Sequence, residues 1–318
     1  MDAVITWVDG SDPAHQARMA PFLAGFEKKP ISASSTRFAD CGEIKFCVMS
    51  IIRFAPWIDN IYIITDSQQP PFYARIKDPT LRKRIRIVDH KELFSGYEYS
   101  LPVFNSLAIE AMLWNISDLS DDFIYLNDDM MFVRPTPIEA FRADHKYVLK
   151  GQMKMRKVER WWYRLKSKFL GRSDSSRVSY RQLQENSAAV IDNACDYLDL
   201  PHCPHILNRH ILKSLFQTNF KIFEKTISYK FRHPQQLWAV SLFAHCVLAQ
   251  GMAKMDNHFK TSNIKANAVS QKKLFRLLNH TEREHDYYFI CVQSLDLAKP
   301  EEQRYILQWL TRIILDAA

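Results

Sequence analysis

The chain has 318 residues, of which 47% are hydrophobic, so it is long enough to bury a substantial core and is not disordered. It contains only 7 glycines, and this scarcity excludes the glycine-rich phosphate loops of nucleoside-triphosphate and dinucleotide binding. The formal charge of +8 favours an anionic partner, such as a nucleotide, a polyanionic polymer or an anionic lipid surface.

The cysteines and the N-terminus indicate a compartment. The six cysteines form no CxxC pair and no framework spacing, which is typical of reduced thiols in a cytosolic protein. The N-terminus has no basic region followed by an apolar run, and no segment has the apolar length of a membrane span. We therefore expect a cytoplasmic protein.

Short apolar runs alternate with helical patterns along the first half of the chain. Strands are predicted at 3–8, 61–65, 84–88 and 123–126. Apolar residues at helical spacing predict helices over 43–54 and from Asn105 onward. Strands that alternate with helices imply a mostly parallel sheet with crossover helices, and hence an α/β fold.

An aspartate follows each of the four predicted strands. These residues are Asp9, Asp66, Asp89 and the pair Asp128 and Asp129. Ligands of an open α/β sheet bind outside the carboxyl ends of its strands, so we expect these carboxylates along one edge. The adjacent pair suits Mg²⁺ or Mn²⁺, which take one or two carboxylates together with waters and substrate phosphates. The structural alternative is that aspartates terminate strands, with Asp89 as a helix cap and the pair as an acidic turn.

The loop 36–43 combines Arg37 with Asp40 and Glu43 just before a predicted helix. Asp40 could be the N-cap of that helix, with Glu43 three residues later as in a capping box. It could also be an acid or base at the same edge of the sheet. Both interpretations stay open on the sequence.

The chain is most cationic between 150 and 182, where basic residues are interleaved with aromatic ones. We predict a single domain over 1–318, with 150–182 as a basic aromatic helical insertion and 251–318 as a mostly helical C-terminal part. Such an insertion can lie on an anionic membrane surface, which would place the protein at the inner face of the cytoplasmic membrane, or hold a polyanionic acceptor. The alternative is a solvated insertion that packs on the domain. No module for specific nucleic-acid recognition is visible.

Two groups of basic residues follow the insertion. Prolines flank His202 and His205 at the entrance of a helix predicted from 206 onward. Neighbouring cysteines raise the alternative of a zinc site, but the spacing matches none of the common zinc patterns. Arg232 and His233 precede another amphipathic helix, whose N-terminus would be an anion site. The alternative is that His233 caps this helix and Arg232 makes a surface ion pair.

Several segments together resemble the signatures of the Stealth family of sugar-phosphate transferases. The first signature is resembled by 6–13 (TWVDGSDP). The second is resembled by 37–43 (RFADCGE), 55–58 (APWI) and 61–68 (IYIITDSQ). The third is resembled by 101–110 (LPVFNSLAIE), 127–129 (NDD), 202–205 (HCPH) and 231–233 (FRH). These segments lie in the family's order and cover most of residues 3 to 250.

The family includes bacterial capsule polysaccharide phosphotransferases and the eukaryotic lysosomal-enzyme N-acetylglucosamine-1-phosphotransferase. The resemblance therefore implies a single catalytic domain with a glycosyltransferase A-like fold for nucleotide sugars. It also implies Mg²⁺ or Mn²⁺, a UDP-sugar donor such as UDP-GlcNAc and a saccharide or polysaccharide acceptor. The implied reaction transfers the sugar with its β-phosphate and releases UMP, in bacterial capsule or exopolysaccharide synthesis.

The resemblance also implies roles for individual residues. Asp128 and Asp129 would hold the metal, while Arg232, His202 and His233 would neutralise phosphate oxygens. Asp40 or His202 would be the base for the acceptor hydroxyl. The residues expected to bind substrate are Thr6, Trp7, Asp9, Gly10, Arg37, Glu43, Asp66, Asn105 and His205, with Trp7, Asp9, Gly10 and Asp66 at the uridine and ribose end.

The chain departs from the family pattern at two places. The family has an arginine where this chain has Met49, and it has Asn-Asp where Gln293 and Ser294 follow Cys291. We therefore carry no site residue over from the fourth signature. The alternatives to phosphotransfer are a metal-dependent glycosyltransferase that releases UDP and an inactive relative that binds polysaccharide or a membrane surface.

Overall fold

The structure is a computed structural model that describes residues 1–26, 30–156, 178–191 and 196–316. Within these ranges the strands are β1 (Asp2–Thr6), β2 (Ile61–Thr65), β3 (Ile85–Asp89), β4 (Asp122–Asn127), β5 (Met130–Phe132), β6 (Arg142–Ala143), β7 (Lys146–Leu149), β8 (Gln152–Met155), β9 (Asp196–Asp199), β10 (His205–Asn208), β11 (Ala253–Met255), β12 (Lys260–Lys265) and β13 (Tyr287–Gln293). The α-helices are α1 (Pro13–Leu23), α2 (Glu43–Phe54), α3 (Pro79–Arg84), α4 (His90–Leu93), α5 (Ser106–Glu110), α6 (Tyr180–Ile191), α7 (Arg209–Thr218), α8 (Phe220–Ser228), α9 (Ala239–Ala249), α10 (Gln271–Arg283) and α11 (Pro300–Leu310), and a π-helix (Thr311–Asp316) follows α11.

A five-stranded sheet in the order β10-β4-β1-β2-β3 forms the centre of the molecule. The strands β1 to β4 are parallel to one another, and β10 runs antiparallel to β4 at one edge. Helices lie in each connection between the parallel strands, because a parallel pair requires a long crossover. The predicted α/β fold with a mostly parallel sheet is therefore confirmed.

The strands β1 and β2 are buried on both faces. Residues 3–5 and 61–64 are at most 3% exposed, which explains why both strands read as unbroken apolar runs. Helix α2 packs against β5 and the π-helix, whereas α5 packs against β1 and α8. This covered sheet is a rigid base for the loops at its carboxyl edge.

The carboxylate pair lies where the chain leaves the central sheet. Strand β4 ends at Asn127, and β5 begins at Met130 in a different sheet, whose order is β12-β13-β5. The two aspartates are therefore a turn between two sheets. The N–H of Val292, in β13, donates to the backbone oxygen of Asp129 at 2.9 Å and ties this turn to the second sheet.

The described residues of the C-terminal part 251–318 include the helices α10 and α11 and the π-helix. This part also contains the parallel strands β12 and β13, which the sequence analysis did not include. Strand β11 adds to a third sheet in the order β11-β7-β6. The second sheet completes one side of the cleft described below.

The predicted insertion 150–182 is described only at its two ends, and 157–177 lie outside the described residues. At the first end β8 pairs antiparallel with β9, and at the second end α6 begins at Tyr180. Lys150 is not a surface cation, because it is 4% exposed and its Nζ donates to the backbone oxygen of Ala140 at 2.8 Å. A membrane or acceptor role for this segment stays a prediction.

The helix predicted from 206 begins later than expected. Ile206 and Leu207 lie in β10, where they pair with β4 and are buried at the sheet edge. Helix α7 starts at Arg209, and the Oδ1 of Asn208 accepts the first free N–H groups as its N-cap. The prediction was wrong because a short apolar run is compatible with either a strand or a helix.

Helix α9 also starts later than predicted, at Ala239, so His233 is not at a helix N-terminus. His233 stacks on Tyr229 with ring centroids 4.1 Å apart. Its Nδ1 accepts the N–H of Gln235 at 3.2 Å, which stabilises the turn that follows. Loop 229–238 therefore presents Arg232 without the help of a helix dipole.

Candidate active site

A cleft of about 600 Å³ opens at the carboxyl ends of the parallel strands. Its walls include the end of β1, the loop before α2, the start of α5, the β4–β5 turn and the ends of β12 and β13. The predicted site residues that line it are Thr6, Trp7, Arg37, Glu43, Asn105, Asp128, Asp129, His202, His205 and Arg232. The fold thus brings residues from distant parts of the sequence to one place, although their individual roles stay predictions.

One wall of the cleft is acidic. Burial, followed by the charges of Asp129, Glu43 and Asp40, raises the pKa of Asp128 well above its usual value. Burial likewise raises the pKa of Asp129, and it raises the pKa of Glu43 to about 7. The pKa of Asp40 is also raised, mainly by burial. Carboxylates that resist ionisation together in this way would be stabilised by a bound cation.

The acidic wall fits a magnesium-type ion. Asp129 Oδ1 is buried and has no hydrogen-bond partner among the described residues. No three histidine, cysteine or acidic side chains within the described ranges are grouped as a complete metal cage. A pair of carboxylates is sufficient for Mg²⁺, which takes waters and substrate phosphates as its other ligands. Asp128 and Asp129 are therefore the residues that would hold it.

The loop 40–43 does not form the capping box that was one of its interpretations. The N-cap of α2 is Gly42 in the left-handed conformation, with φ of 93°, and it makes no side-chain cap. Asp40 Oδ1 instead accepts the Gly42 N–H at 2.8 Å, and Glu43 Oε2 accepts the Cys41 N–H at 2.6 Å. These bonds fix both carboxylates next to the acidic wall. Glu43 lines the cleft, whereas Asp40 is not among the lining residues.

Another side of the cleft is cationic. The Arg232 guanidinium donates to Ser106 Oγ at 2.7 Å, and its charge lowers the pKa of Glu110. Burial outweighs this effect and raises the pKa of Glu110 to about 7. Lys265, at the end of β12, lines the cleft and makes no hydrogen bond or ion pair within the described ranges. A cation in a cleft without a protein partner is suited to a ligand anion.

His202 lies beside this cationic side and stacks on Tyr180 with ring centroids 4.3 Å apart. Burial, and then the charges of Lys265 and Arg232, lower the pKa of His202 to about 4. The ring is therefore neutral near pH 7, so it can accept a proton but does not itself neutralise phosphate charge. An anion bound between these cations would raise the pKa of His202 again.

Two predicted substrate-binding residues also have structural partners. Asn105 caps α5, and its Nδ2 donates to the backbone oxygen of Phe231 at 3.1 Å and to Gln236 Oε1 at 2.9 Å. It thereby holds the loop that carries Arg232. His205 is buried, with its Nε2 3.1 Å from the Pro201 oxygen. Burial lowers the pKa of His205 to about 3, so this ring is neutral.

Asp9, Gly10, Asp66 and His233 are not among the residues that line the cleft. Asp9 Oδ1 accepts the N–H and hydroxyl of Ser11 at 2.8 and 2.6 Å, which shapes the turn after β1. Asp66 is held by two basic side chains of α1. Substrate contacts for these residues stay predictions, and none is needed to explain their positions.

Some residues that line the cleft were absent from the predicted site. They are His15, His90, Glu110, Lys265, Gln293, Ser294 and Asp296. Glu110 lay within a resembled signature, so it could have been found, whereas Lys265 ends a strand that the sequence did not indicate. Asp296 Oδ2 accepts the Thr36 hydroxyl at 2.5 Å, joining the C-terminal part to the loop before α2.

The two departures from the family pattern differ in position. Met49 lies outside the cleft, at a second hollow beside Lys45 and Leu81, so its identity removes no cation from the cleft. Gln293 and Ser294 line the cleft, and Ser294 has the left-handed φ of 56°. The departure at 293–294 is therefore the one that changes the chemistry of the wall.

The sequence matches two conserved regions of the Stealth proteins. Conserved region 1 matches residues 1–27, and conserved region 2 matches residues 37–149. Capsular polysaccharide phosphotransferase cps1A of Actinobacillus pleuropneumoniae is 30% identical over 290 residues, which is 88% of this chain and 74% of that protein. The chain belongs to the Stealth family.

Other relatives match less of their own length. Exopolysaccharide phosphotransferase SCO2592 of Streptomyces coelicolor is 29% identical over 310 residues, or 96% of this chain, but this chain spans only 31% of that protein. Capsular polysaccharide phosphotransferase LcbA of Neisseria meningitidis is 41% identical over 142 residues, which is 44% of this chain and 37% of that protein.

A solved structure of the galactosyltransferase LgtC, in complex with donor and acceptor sugar analogues, is similar to this chain. The two are 12% identical with a TM-score of 0.48, and the match covers 98% of this chain and 96% of that one.

None of the described helices is both long and apolar enough to cross a membrane.

Proposed function

We propose that this protein transfers a sugar 1-phosphate from a UDP-sugar to a saccharide hydroxyl and releases UMP, in capsule or exopolysaccharide synthesis. The observation that carries this proposal is that one cleft contains both a pair of carboxylates and two cations. Asp128 and Asp129 line this cleft together with Arg232 and Lys265. Membership of a family whose relatives are named polysaccharide phosphotransferases supports the same reaction.

In the proposed reaction an oxygen of the acceptor hydroxyl forms a bond to the β-phosphorus of the donor. The bond from that phosphorus to the bridging oxygen breaks, and UMP leaves with the oxygen and its electron pair. Positioning and charge neutralisation account for most of the catalysis in such transfers. When bound at Asp128 and Asp129, Mg²⁺ would supply charge neutralisation on the diphosphate. Arg232 and Lys265 would contact non-bridging oxygens of the same diphosphate.

The hydroxyl proton needs an acceptor, and we assign this role to His202. Its ring is neutral because burial and the nearby cations lower its pKa to about 4. As charge builds on the phosphate beside it, its affinity for a proton rises. Asp40 is the alternative base, and its raised pKa also suits proton transfer. Its position outside the cleft lining favours His202.

The decisive experiment is product analysis after incubation with a panel of UDP-sugars, Mg²⁺ and saccharide acceptors. We expect UMP and a new phosphodiester signal in phosphorus NMR. Asp128→Ala and His202→Ala should each lower the rate by about a hundredfold or more. His210→Ala is the matched control, since His210 is exposed and pairs with Asp121 away from the cleft.

The alternative function is metal-dependent glycosyl transfer. It would use the same carboxylates but release UDP, so UDP as the nucleotide product would overturn the proposal. Arg232, Lys265 and His202 together favour phosphotransfer, because attack at the β-phosphorus places most of the developing charge beside them. Unchanged product formation in Asp128→Ala would also contradict the proposed mechanism.

A further inference from the structure

The second hollow, which Met49 lines, is separate from the cleft. It has a volume of about 320 Å³, and no described residue lines both it and the cleft. Its walls come from α2 and from the segment 72–81, which ends within α3. Lys45 lines the hollow, whereas Glu43 lines the cleft, and residues two apart on a helix do not face the same side. The two sites therefore lie on different sides of α2.

Part of the lining of this hollow is apolar. It consists of four half-buried side chains, namely Met49, Phe72, Ile76 and Leu81. All four pack against the main hydrophobic core, and each remains partly exposed to solvent. Removing such apolar surface from water is favourable. The hollow is therefore suited to contact with the methylene groups of a ligand.

The other lining residues are charged. Lys45, Arg75 and Lys77 are exposed, and none of their side chains makes a hydrogen bond or an ion pair within the described ranges. Asp78 is the acidic residue of the lining, and its carboxylate accepts the N–H of Thr80 at 2.8 Å as the N-cap of α3. Three cations stand against this one carboxylate, so the hollow has a net positive charge and is suited to an anion.

The chain beside the hollow has the same character. Between 72 and 83 the sequence has four cations and one acid, and Arg82 and Lys83 are exposed on α3. Unpaired cations next to open apolar side chains match an anionic amphiphile, whose phosphate contacts the cations while its methylenes contact the apolar lining. The smallest ligand pockets of proteins have volumes of about 300 Å³, so the hollow holds part of one lipid.

We propose that this hollow and the basic segment 72–83 dock the protein on a bilayer that contains anionic phospholipid, with one headgroup and its first methylenes in the hollow. The inference is independent of the proposed function, and it concerns a surface other than the segment 150–182. A polyanionic saccharide would also match the cations, but it would leave the apolar lining without contacts. An acidic peptide helix would need a longer apolar groove than four side chains provide.

The test is sedimentation of the whole chain with vesicles made of equal parts phosphatidylcholine and phosphatidylglycerol, compared with vesicles of phosphatidylcholine alone. We expect binding to the first vesicles only. Removing three cations of the hollow together should weaken this binding on the order of a hundredfold, because each cation near an anionic surface contributes about fivefold. This triple variant combines Lys45→Gln, Arg75→Gln and Lys77→Gln.

The matched control removes three exposed cations of α10, which line neither the hollow nor the cleft. It combines Lys272→Gln, Lys273→Gln and Arg276→Gln. The net charge changes by the same amount, but charges farther from the bilayer than a Debye length are screened. We therefore expect the control to weaken binding by less than about threefold. Circular dichroism would show that each variant is folded.

The apolar lining has a test of its own. Met49→Gln keeps a side chain of similar length and should weaken vesicle binding by roughly threefold to tenfold, because an apolar contact is lost. Ile52→Gln is the control, since Ile52 is half-buried on the same helix but does not line the hollow. Its binding should equal that of the unmodified protein.

Equal losses of binding in the two triple variants would show that only net charge matters, and would overturn the inference. Undiminished binding of the hollow variant would assign docking to another surface, such as 150–182, with the same consequence. Unchanged binding of Met49→Gln would leave the hollow without a role and overturn it as well. Binding of soluble dextran sulfate without binding of vesicles would assign the cations to a polyanionic saccharide instead. Should a triple variant not fold, Lys77→Gln against Lys273→Gln decides the question, with an expected difference of roughly fivefold.

Discussion

Arg232 and Lys265 are both cations of the same cleft, but they differ in how they are held. Arg232 is fixed by Ser106, and its loop is held in turn by Asn105. Lys265 has no such support, so its contribution depends on the ligand. A lysine is a compact point charge that suits a phosphate oxygen without fixing its orientation, whereas an arginine fixes geometry as well. The two residues thus have complementary roles in the proposed mechanism.

Lys265→Ala should therefore lower kcat/KM for the nucleotide-sugar donor by roughly tenfold to a hundredfold, since a charge-assisted hydrogen bond to phosphate is lost. Lys265→Arg should restore much of the activity. The matched control is Lys254→Ala, because Lys254 makes an exposed ion pair with Asp144 and such pairs contribute little. Initial rates of UMP release would measure all three variants. Full activity in Lys265→Ala would show that the lysine contacts no reacting phosphate.

The turn after β1 depends on close contact between two loops. Gly10 N–H donates to the backbone oxygen of Phe38 at 2.6 Å, and a Cβ on Gly10 would lie only 2.7 Å from that oxygen. The same approach positions Trp7 and Arg37 on neighbouring parts of the cleft lining. Position 10 therefore requires glycine because a side chain has no space there, and not because of the backbone conformation.

Gly10→Ala should lower the free energy of unfolding by about 1–3 kcal/mol, because the two loops must separate to admit the methyl group. Gly25→Ala is the control, since a Cβ there would contact nothing within 4 Å. It should be neutral or slightly stabilising. Urea unfolding at neutral pH would measure both. Equal stability of the two variants would contradict the packing described for Gly10.

For helices and strands, the sequence predictions were correct where the local pattern of residues decides the structure. The runs at 61–65 and 123–126 are strands because β-branched and aromatic residues fill a sheet that is buried on both faces. The run at 206–207 was assigned to a helix because nothing local shows that it lies beside β4. The strands β12 and β13 were missed, and with them Lys265. Contacts such as His15 with Asp66 join distant residues and have no local signal.

The buried carboxylates of the acidic wall make the stability of the whole molecule depend on pH. The pKa of Glu43 is raised from 4.5 to about 7. Burial is the largest cause, and the charges of Asp40 and Asp129 add to it, whereas two backbone hydrogen bonds lower the pKa. The folded protein therefore keeps a proton that the unfolded chain loses between pH 4.5 and 7. The stability that this group contributes is fully present below pH 4.5 and is lost as the pH rises through about 7.

Without divalent metal, Glu43→Gln should thus raise the free energy of unfolding at pH 8 by on the order of 2 kcal/mol, and change it little at pH 4. Saturating Mg²⁺ should stabilise the unmodified protein at pH 8 and reduce this difference. Glu139→Gln, at an exposed position, is the control. Urea unfolding with EDTA or Mg²⁺ would measure these effects. Equal stability of Glu43→Gln and the unmodified protein at pH 8 would contradict them.

The position of β5 has a consequence for synthesis on the ribosome. Strand β5 pairs only with β13 among the described strands, through Met131 opposite Ile290. The turn of Asp128 and Asp129 therefore lacks its second anchor until residues 287–293 have emerged. Early in translation β1 to β4 can assemble, because domains fold from the N-terminal side as they are made. The nascent chain then exposes an unpaired edge at β5, which is a site for non-native pairing. The turn of Asp128 and Asp129 is consequently completed only when β13 is added.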